Sequence, residues 1–320
     1  MPTDLENLLS LYPREVRPRT PPLALGNAGG TSGVRLYRFA SAIGDLVARA
    51  WPVDGPHLAM IQRIHSWISQ LADLPFIPIP IPTRDRRTVV VLSGRAWDVS
   101  PWMPGQPNTT LFRSAFTALA MVHNRLGPMP AQIPSPGLIA RLEESERLLK
   151  TELAQFETTV GRAHDEAADL SRRWLAVART GLMALVPRLR RDALRTMAIQ
   201  PVLRDARRDH FLFEEDRLTG LVDFGAMGVD TPAADLARLL GEWVGDDRPL
   251  RAEALNAYSA IRPLSAVEAA LIDVFEEANA WLGPARWVRW HYVDRRHFDD
   301  SDTVMIGLRR CLDRLATRIS

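Results

Sequence analysis

Apolar and polar residues alternate along positions 34–39, the two-residue period of a half-buried strand, and 45–51 reads as a second short strand. The turn between them, at 41–44, makes the pair a hairpin. The period then changes. Leu58, Ile61, Ile64, Ile68 and Leu71 recur at three- and four-residue spacing, which predicts a helix over 57–71. The proline-rich stretch 75–82 suits neither helix nor central strand and reads as an extended connector. Segments 89–92 and 95–99 flank Ser93-Gly94 as a second hairpin. Beyond Pro101-Trp102-Met103-Pro104-Gly105 the helical period dominates, over 110–126, 138–156 and 167–185. It breaks near residue 200, where short strands return at 211–213 and 220–222. Helices resume over 233–244, after Ser265 and over 304–318, and Ser265 with Glu268 has capping-box spacing. The pattern predicts an α+β chain with a small β-rich lobe (1–100) and a larger, mainly helical one (101–320).

Composition narrows the partners. Of 320 residues, 46% are hydrophobic and 24% charged, the balance of a globular rather than a disordered chain. The net charge is only +2, and Lys150 is the one lysine beside 39 arginines. The arginines are interspersed with acids, as in Arg204-Asp205-Ala206-Arg207-Arg208-Asp209, which argues against a nucleic-acid partner. A single cysteine, Cys311, excludes an intrachain disulfide framework and a cysteine zinc cluster; its setting is that of a small packing residue on a helix. The first ten residues carry acids where a signal peptide has basic residues, and no run reaches the ~20 apolar residues of a membrane span. The expectation is a cytoplasmic protein with no membrane partner; oligomeric state is left open.

The chemistry concentrates between positions 202 and 225. Asp205 stands five residues before His210, and Asp223 a further thirteen on, opening Asp223-Phe224-Gly225. The intervening strand, turn and strand form a hairpin that brings position 210 and Asp223 together. Phosphoryl transfer asks a protein for positioned metal ions, a cation on the phosphates, and a group that orients or deprotonates the attacking hydroxyl. A lone Asp-Phe-Gly is weak evidence, since any strand can end in a capping Asp. The combined spacing is far more specific. Downstream, Thr231-Pro232-Ala233-Ala234-Asp235-Leu236-Ala237 carries a cap-competent Thr and a Pro at a helix start.

On these motifs the chain resembles the aminoglycoside phosphotransferase and choline kinase branch of the two-lobed protein-kinase-like fold. That family's loop reads His-Gly-Asp-x4-Asn, then Asp-Phe-Gly or Asp-Phe-Glu, then a helix opening Pro-x-x-Asp-Leu-Ala. The resemblance implies an ATP-dependent phosphotransferase acting on a hydroxyl of a small molecule with Mg or Mn. It makes Asp205 the catalytic base or hydroxyl-orienting residue, Asp223 the metal ligand and Asp235 the brace of the catalytic loop; His210 stands at the second ligand position, either as a metal ligand or as a histidine packing the loop, with adjacent Asp209 the alternative oxygen donor. Gly29, Gly30 and Gly33 fall in the nucleotide loop, Arg49 at the phosphate-binding strand lysine, and Trp97 to Met103 at the adenine-facing hinge. Glu276, Glu277 and Trp287, on C-terminal helices, are substrate candidates; solvated acids and aromatic packing are the plainer readings. His123 reads as a core histidine.

The chain departs from the pattern at Leu203, Arg204 and His210, where the family has His, Gly and Asn. No Glu lies on the helix 57–71 to pair with Arg49, and Gln62 is its nearest polar residue. These departures keep a second reading open: a catalytically impaired pseudokinase that binds nucleotide or a partner.

Overall fold

A computed structural model of the chain describes residues 3–26, 33–296, 298 and 302–319. In chain order, α1 (Thr3–Ser10) precedes β1 (Leu23–Gly26), β2 (Arg35–Ser41) and β3 (Gly44–Ala50). Then come α2 (Leu58–Ser69), β4 (Val90–Leu92), β5 (Arg95–Pro101), β6 (Gln106–Pro107), α3 (Phe112–Leu126) and β7 (Gln132–Pro134). Helix α4 (Pro136–Arg147) passes through a π-helical turn, Leu148–Glu152, into α5 (Leu153–Gly161), and α6 (Glu166–Ala193) follows. Short strands β8 (Thr196–Ala198), β9 (Gln200–Val202), β10 (Phe211–Glu214), β11 (Arg217–Leu221) and β12 (Gly228–Asp230) lead to the last helices. These are α7 (Ala233–Trp243), α8 (Arg248–Ser259), α9 (Ala266–Val288) and α10 (Thr303–Ile319).

These elements form two compact units: Met1–Ala115 with Arg208–Met227, and Phe116–Arg207 with Gly228–Ser320. In the first, an antiparallel sheet has the order β1-β2-β3-β5-β4. Alternate residues of its strands, Phe39, Leu46, Ala48, Trp97 and Val99, share a buried face that joins Leu5 and Leu8 of α1 in one core. Each large side chain so buried contributes about 1.5–3 kcal/mol. Helix α2 buries Ile61, Ile64 and Ile68, the stripe its spacing predicts. Helix α1 and strand β1 were not predicted; both are too short to show a period.

The same unit holds a second sheet, β11-β10-β6, in which the predicted hairpin takes β6 as a third strand. Gly105, at φ +98°, makes this possible. A Cβ there would stand 2.6 Å from the carbonyl oxygen of Phe213 and from the Thr219 hydroxyl.

The second unit is helical. Ser265 and Glu268 complete the capping box that starts α9, and Ser135 caps α4 by accepting from the amide of Leu138. Trp281 of α9 lies against Gly181 of α6, and Trp287 lies against Gly307 of α10. Strand β9 pairs antiparallel with β12, so the chain leaves this unit after β9 and rejoins it at β12. Among the described residues, no helix is long and apolar enough to cross a membrane.

Candidate active site

The helical unit presents Asp205 on a loop that is held by its backbone. Directly after β9, the amides of Leu203 and Arg204 donate to the two carboxylate oxygens of Asp235, both at 2.7 Å. Asp235 is fully buried in the first turn of α7. Its Oδ2 also lies 3.0 Å from Nε2 of His123, whose Nδ1 is 2.8 Å from the Tyr258 hydroxyl. Gln200 donates to the His123 carbonyl at 2.8 Å, tying β9 to α3. Burial pushes the Tyr258 hydroxyl above its ordinary pKa, so it stays protonated and able to donate. His123 is thus a core histidine and also the support of Asp235. The sequence holds no signal for that pairing, since the two residues lie 112 positions apart.

Asp205 itself is half-buried, with Oδ1 3.3 Å from Nη2 of Arg238 on α7; Nη1 of Arg238 is 3.3 Å from Glu242. Arg204 occupies a left-handed conformation, φ +64°, and its side chain reaches solvent. Glycine is the residue that adopts this backbone without strain. A Cβ on Gly228 would meet Arg204 Cδ at 2.7 Å, so the glycine in β12 leaves the room this side chain occupies.

In the other unit, the β10–β11 hairpin carries His210 and Asp223. The amide of Val222 donates to the His210 carbonyl at 2.9 Å, which brings His210 Nε2 to 3.6 Å from Asp223 Oδ2. Asp223 is left-handed at φ +62°, ψ +65°, and its carboxylate is largely exposed. Among the described residues, no group of three or more His, Cys, Asp or Glu gathers into a metal cluster. An imidazole nitrogen and a carboxylate oxygen this close are donors of a kind that would suit a divalent cation.

Arg49 is placed by the sheet. It sits opposite Asp98 in the β3–β5 register, and its Nε and Nη2 donate to Asp98 Oδ2 at 3.2 and 2.9 Å. The same oxygen accepts from Trp51 Nε1 at 2.5 Å, and His65 Nε2 of α2 lies 3.4 Å away. The Arg49 guanidinium stacks 4.0 Å over the Trp51 ring. Burial works to raise the Asp98 pKa, but Arg49 and His65 outweigh it and hold the carboxylate below its ordinary range. The anionic partner sought on α2 therefore comes from the neighbouring strand, and Gln62 points to solvent. Asp98 and His65 were missed by sequence reasoning, because cross-strand register is not written in local spacing.

Two expectations are corrected. Trp97 is no nucleotide contact: its ring is buried and stacked on Tyr37 at 6.0 Å, and its backbone pairs with Ala50 and Val90. Glu276 is not on a solvated face or open to substrate, being buried beside Arg251 and Arg318, while Glu277 pairs with Arg188. Trp287 packs edge-on against Trp290 at 5.3 Å and over Gly307. Of the glycines expected in a nucleotide loop, Gly33 has φ +72° ahead of β2, and Gly29 and Gly30 lie outside the described residues. Met103 follows β5 and packs on Gly220.

A sheet-built unit and a helical unit, with the loop, hairpin and α7 motifs on them, define a protein-kinase-like α+β architecture. The model of the phosphotransferase enzyme family (APH) matches residues 25–271, and the chain belongs to that family. It is 28% identical over 211 residues to a homoserine kinase of Cupriavidus necator, covering 61% of this chain and 58% of that one. A homoserine kinase of Polaromonas naphthalenivorans is 37% identical over 87 residues, 24% of this chain and 28% of that one. The chain thus spans less than two thirds of these curated relatives. Among solved structures, an amicoumacin kinase in complex with AMP-PNP and Ca2+ superposes with a TM-score of 0.64 at 14% identity, covering 98% of this chain and 92% of that one. An aminoglycoside phosphotransferase from Alicyclobacillus acidocaldarius gives 0.60 at 15% identity, covering 97% and 92%. At these identities the structures attest the shared fold.

Proposed function

We propose that the chain transfers the γ-phosphoryl group of ATP to a hydroxyl of a small molecule. The observation that carries this reading is the clamp of Asp235 on the amides of Leu203 and Arg204, which sets the backbone immediately before Asp205. In the step, the acceptor O–H proton passes to Asp205. A new O–P bond forms as the bond from the γ-phosphorus to the β–γ bridging oxygen breaks, releasing ADP. Arg49, oriented by Asp98, is the cation for the phosphates. A divalent ion, Mg or Mn, held by His210 and Asp223 would neutralise charge on the phosphates. The N-terminal lobe, 1–100, is read as binding nucleotide and 101–320 as carrying the catalytic loop and acceptor site, in a cytoplasmic enzyme.

The test is ADP release by the purified chain with ATP, Mn2+ or Mg2+, and a panel of hydroxy compounds, beside Asp205→Asn. Loss of a positioned base lowers kcat by about 10²–10⁴-fold. Turnover unchanged in Asp205→Asn would sink the proposal. A second reading, a nucleotide-binding pseudokinase, is favoured by one observation: Arg238 already occupies Asp205. Nucleotide binding by thermal shift, with no acceptor turned over, would support it.

A further inference from the structure

Helix α10 sets Ile306, Arg310 and Arg314 in one row, four residues apart, along an open groove of about 530 Å³ against the C-terminal end of α7. Trp243 of α7 also lines the groove, and Ile306 is 60% exposed there. Gly241 leaves the room that Arg314 occupies, since a Cβ at 241 would run into the guanidinium. Among the described residues, the Arg314 side chain has no ion pair and no hydrogen bond. Burial lowers its pKa; the charge of Glu276 opposes this, but that carboxylate is ion-paired with Arg251 and Arg318. A desolvated guanidinium that lines a groove without its own anion is suited to one from outside.

Arg310 ties the groove to Asp205. Its Nη2 reaches Glu242 Oε2 at 2.7 Å and also donates to the Glu242 carbonyl at 3.2 Å. The largely buried Glu242 gives its other oxygen to Nη1 of Arg238 at 3.3 Å, and Nη2 of Arg238 lies 3.3 Å from Asp205 Oδ1. Burial works to raise the Glu242 pKa, but Arg238 and Arg310 outweigh it and keep the carboxylate charged. Arg310, Glu242, Arg238 and Asp205 thus form a row of alternating charge within the helical unit. Of the other charges on the groove, Arg309 is paired with Glu166, and Asp313 is exposed. Three guanidinium groups line the groove against two carboxylates, so its balance favours an anion.

We infer that the groove between α7 and α10 is a binding site for a small phosphomonoester, coupled to Asp205 through Glu242 and Arg238. The phosphoryl oxygens meet Arg314 and Arg310, and the organic part meets Trp243 and Ile306. Two guanidinium groups one helical turn apart offer donors from two directions. A tetrahedral oxyanion serves both, whereas a planar carboxylate engages one fork. An oxyanion on Arg310 draws it from Glu242. Glu242 then keeps Arg238 as its cation, and Arg238 is drawn from Asp205. The ion pair that holds Asp205 is thereby loosened by an effector bound elsewhere in the helical unit.

The experiment is calorimetric titration of phenyl phosphate, inorganic phosphate and benzoate onto the full chain. Phenyl phosphate should bind. Inorganic phosphate, which lacks the ring, and benzoate, which lacks the phosphoryl group, should each bind about tenfold more weakly. Arg314→Met should weaken phenyl phosphate about tenfold or more, the size of one charge-assisted hydrogen bond. Ile306→Glu changes an exposed side chain, leaves the fold intact and should also weaken binding, through repulsion. Asp205→Asn frees Arg238 for Glu242 and so Arg310 for the ligand; by reciprocity it should tighten phenyl phosphate about fivefold. Binding that survives both Arg314→Met and Ile306→Glu lies elsewhere and overturns the site, as does no binding at all. Benzoate or inorganic phosphate as tight as phenyl phosphate overturns the phosphomonoester. Affinity unchanged in Asp205→Asn overturns the coupling. None of these readouts needs turnover, so they stand or fall apart from the phosphotransfer reading, which the kinetics of Asp205→Asn test separately.

Discussion

Replacing Asp98 by Asn removes the charge that holds Arg49 while preserving size. In the folded chain Asp98 is fully buried, and one of its oxygens receives Arg49, Trp51 and the edge of His65. Withdrawing one member of a buried ion pair costs about 3–5 kcal/mol, because the other charge stays desolvated without its partner. Asn keeps an oxygen for Trp51, which recovers about 1 kcal/mol. The expected loss is therefore about 3 kcal/mol in the sheet-containing unit. Hydrogen exchange in urea, read on peptides covering β3 and β5, isolates that unit from the helical one. Asp45→Asn is the control. Its carboxylate pairs with Arg38 at 2.5 Å on the same sheet, but the side chains are 43% and 41% exposed. Its loss should stay below about 1 kcal/mol.

The pH dependence follows from direction alone. The Asp98 pKa is depressed on folding, so the folded state binds its proton less tightly than the unfolded chain does. The stability contributed is present above the ordinary carboxylate value, about 3.9, and is lost as pH falls through the lower folded value. The gap between unaltered chain and Asp98→Asn should hold from neutrality to about pH 5 and close only below about pH 4. An Asn variant as stable as the Asp45→Asn control at pH 7, or a gap that widens on acidification, would refute the assignment.

Asp235→Ala strands the buried Leu203 amide, the half-buried Arg204 amide and the His123 ring. It should cost about 3 kcal/mol and abolish turnover, measured by denaturation and by ADP release. Arg204→Gly relieves a left-handed backbone and should raise stability by about 1 kcal/mol, read as a higher Tm of the helical unit. Gly105→Ala sets a methyl group into the Phe213 carbonyl at a positive φ, and should cost about 3 kcal/mol with raised exchange in the β10–β11 hairpin.

Much of this molecule is legible without coordinates because its signals are local. The Ile61, Ile64, Ile68 stripe, the Ser265–Glu268 cap and the spacing from Asp205 to Asp223 each sit within a few turns or strands of chain. What stayed hidden is long-range. Arg49 finds its anion in Asp98 across a strand register, and Asp235 finds His123 from another helix. Position in the family's pattern also misled where side-chain direction differs. Trp97 falls at the hinge by count, yet its ring faces the sheet core. Adjacent residues on a helix diverge by about 100°, so Glu276 turns inward while Glu277 reaches its surface.

The sheet-containing unit is discontinuous in sequence: it lacks its β10–β11 hairpin until residue 227 has been made. Strand β6, only two residues long, has β10 as its ladder partner, so a nascent chain that ends near Ala115 holds it unpaired. At ~5–20 residues per second, the ribosome needs on the order of ten seconds to supply the rest. During that interval the first sheet can form alone, whereas the residues read as metal ligands have not yet emerged. An N-terminal fragment ending at Ala115 would therefore reproduce the waiting state of translation rather than a working lobe.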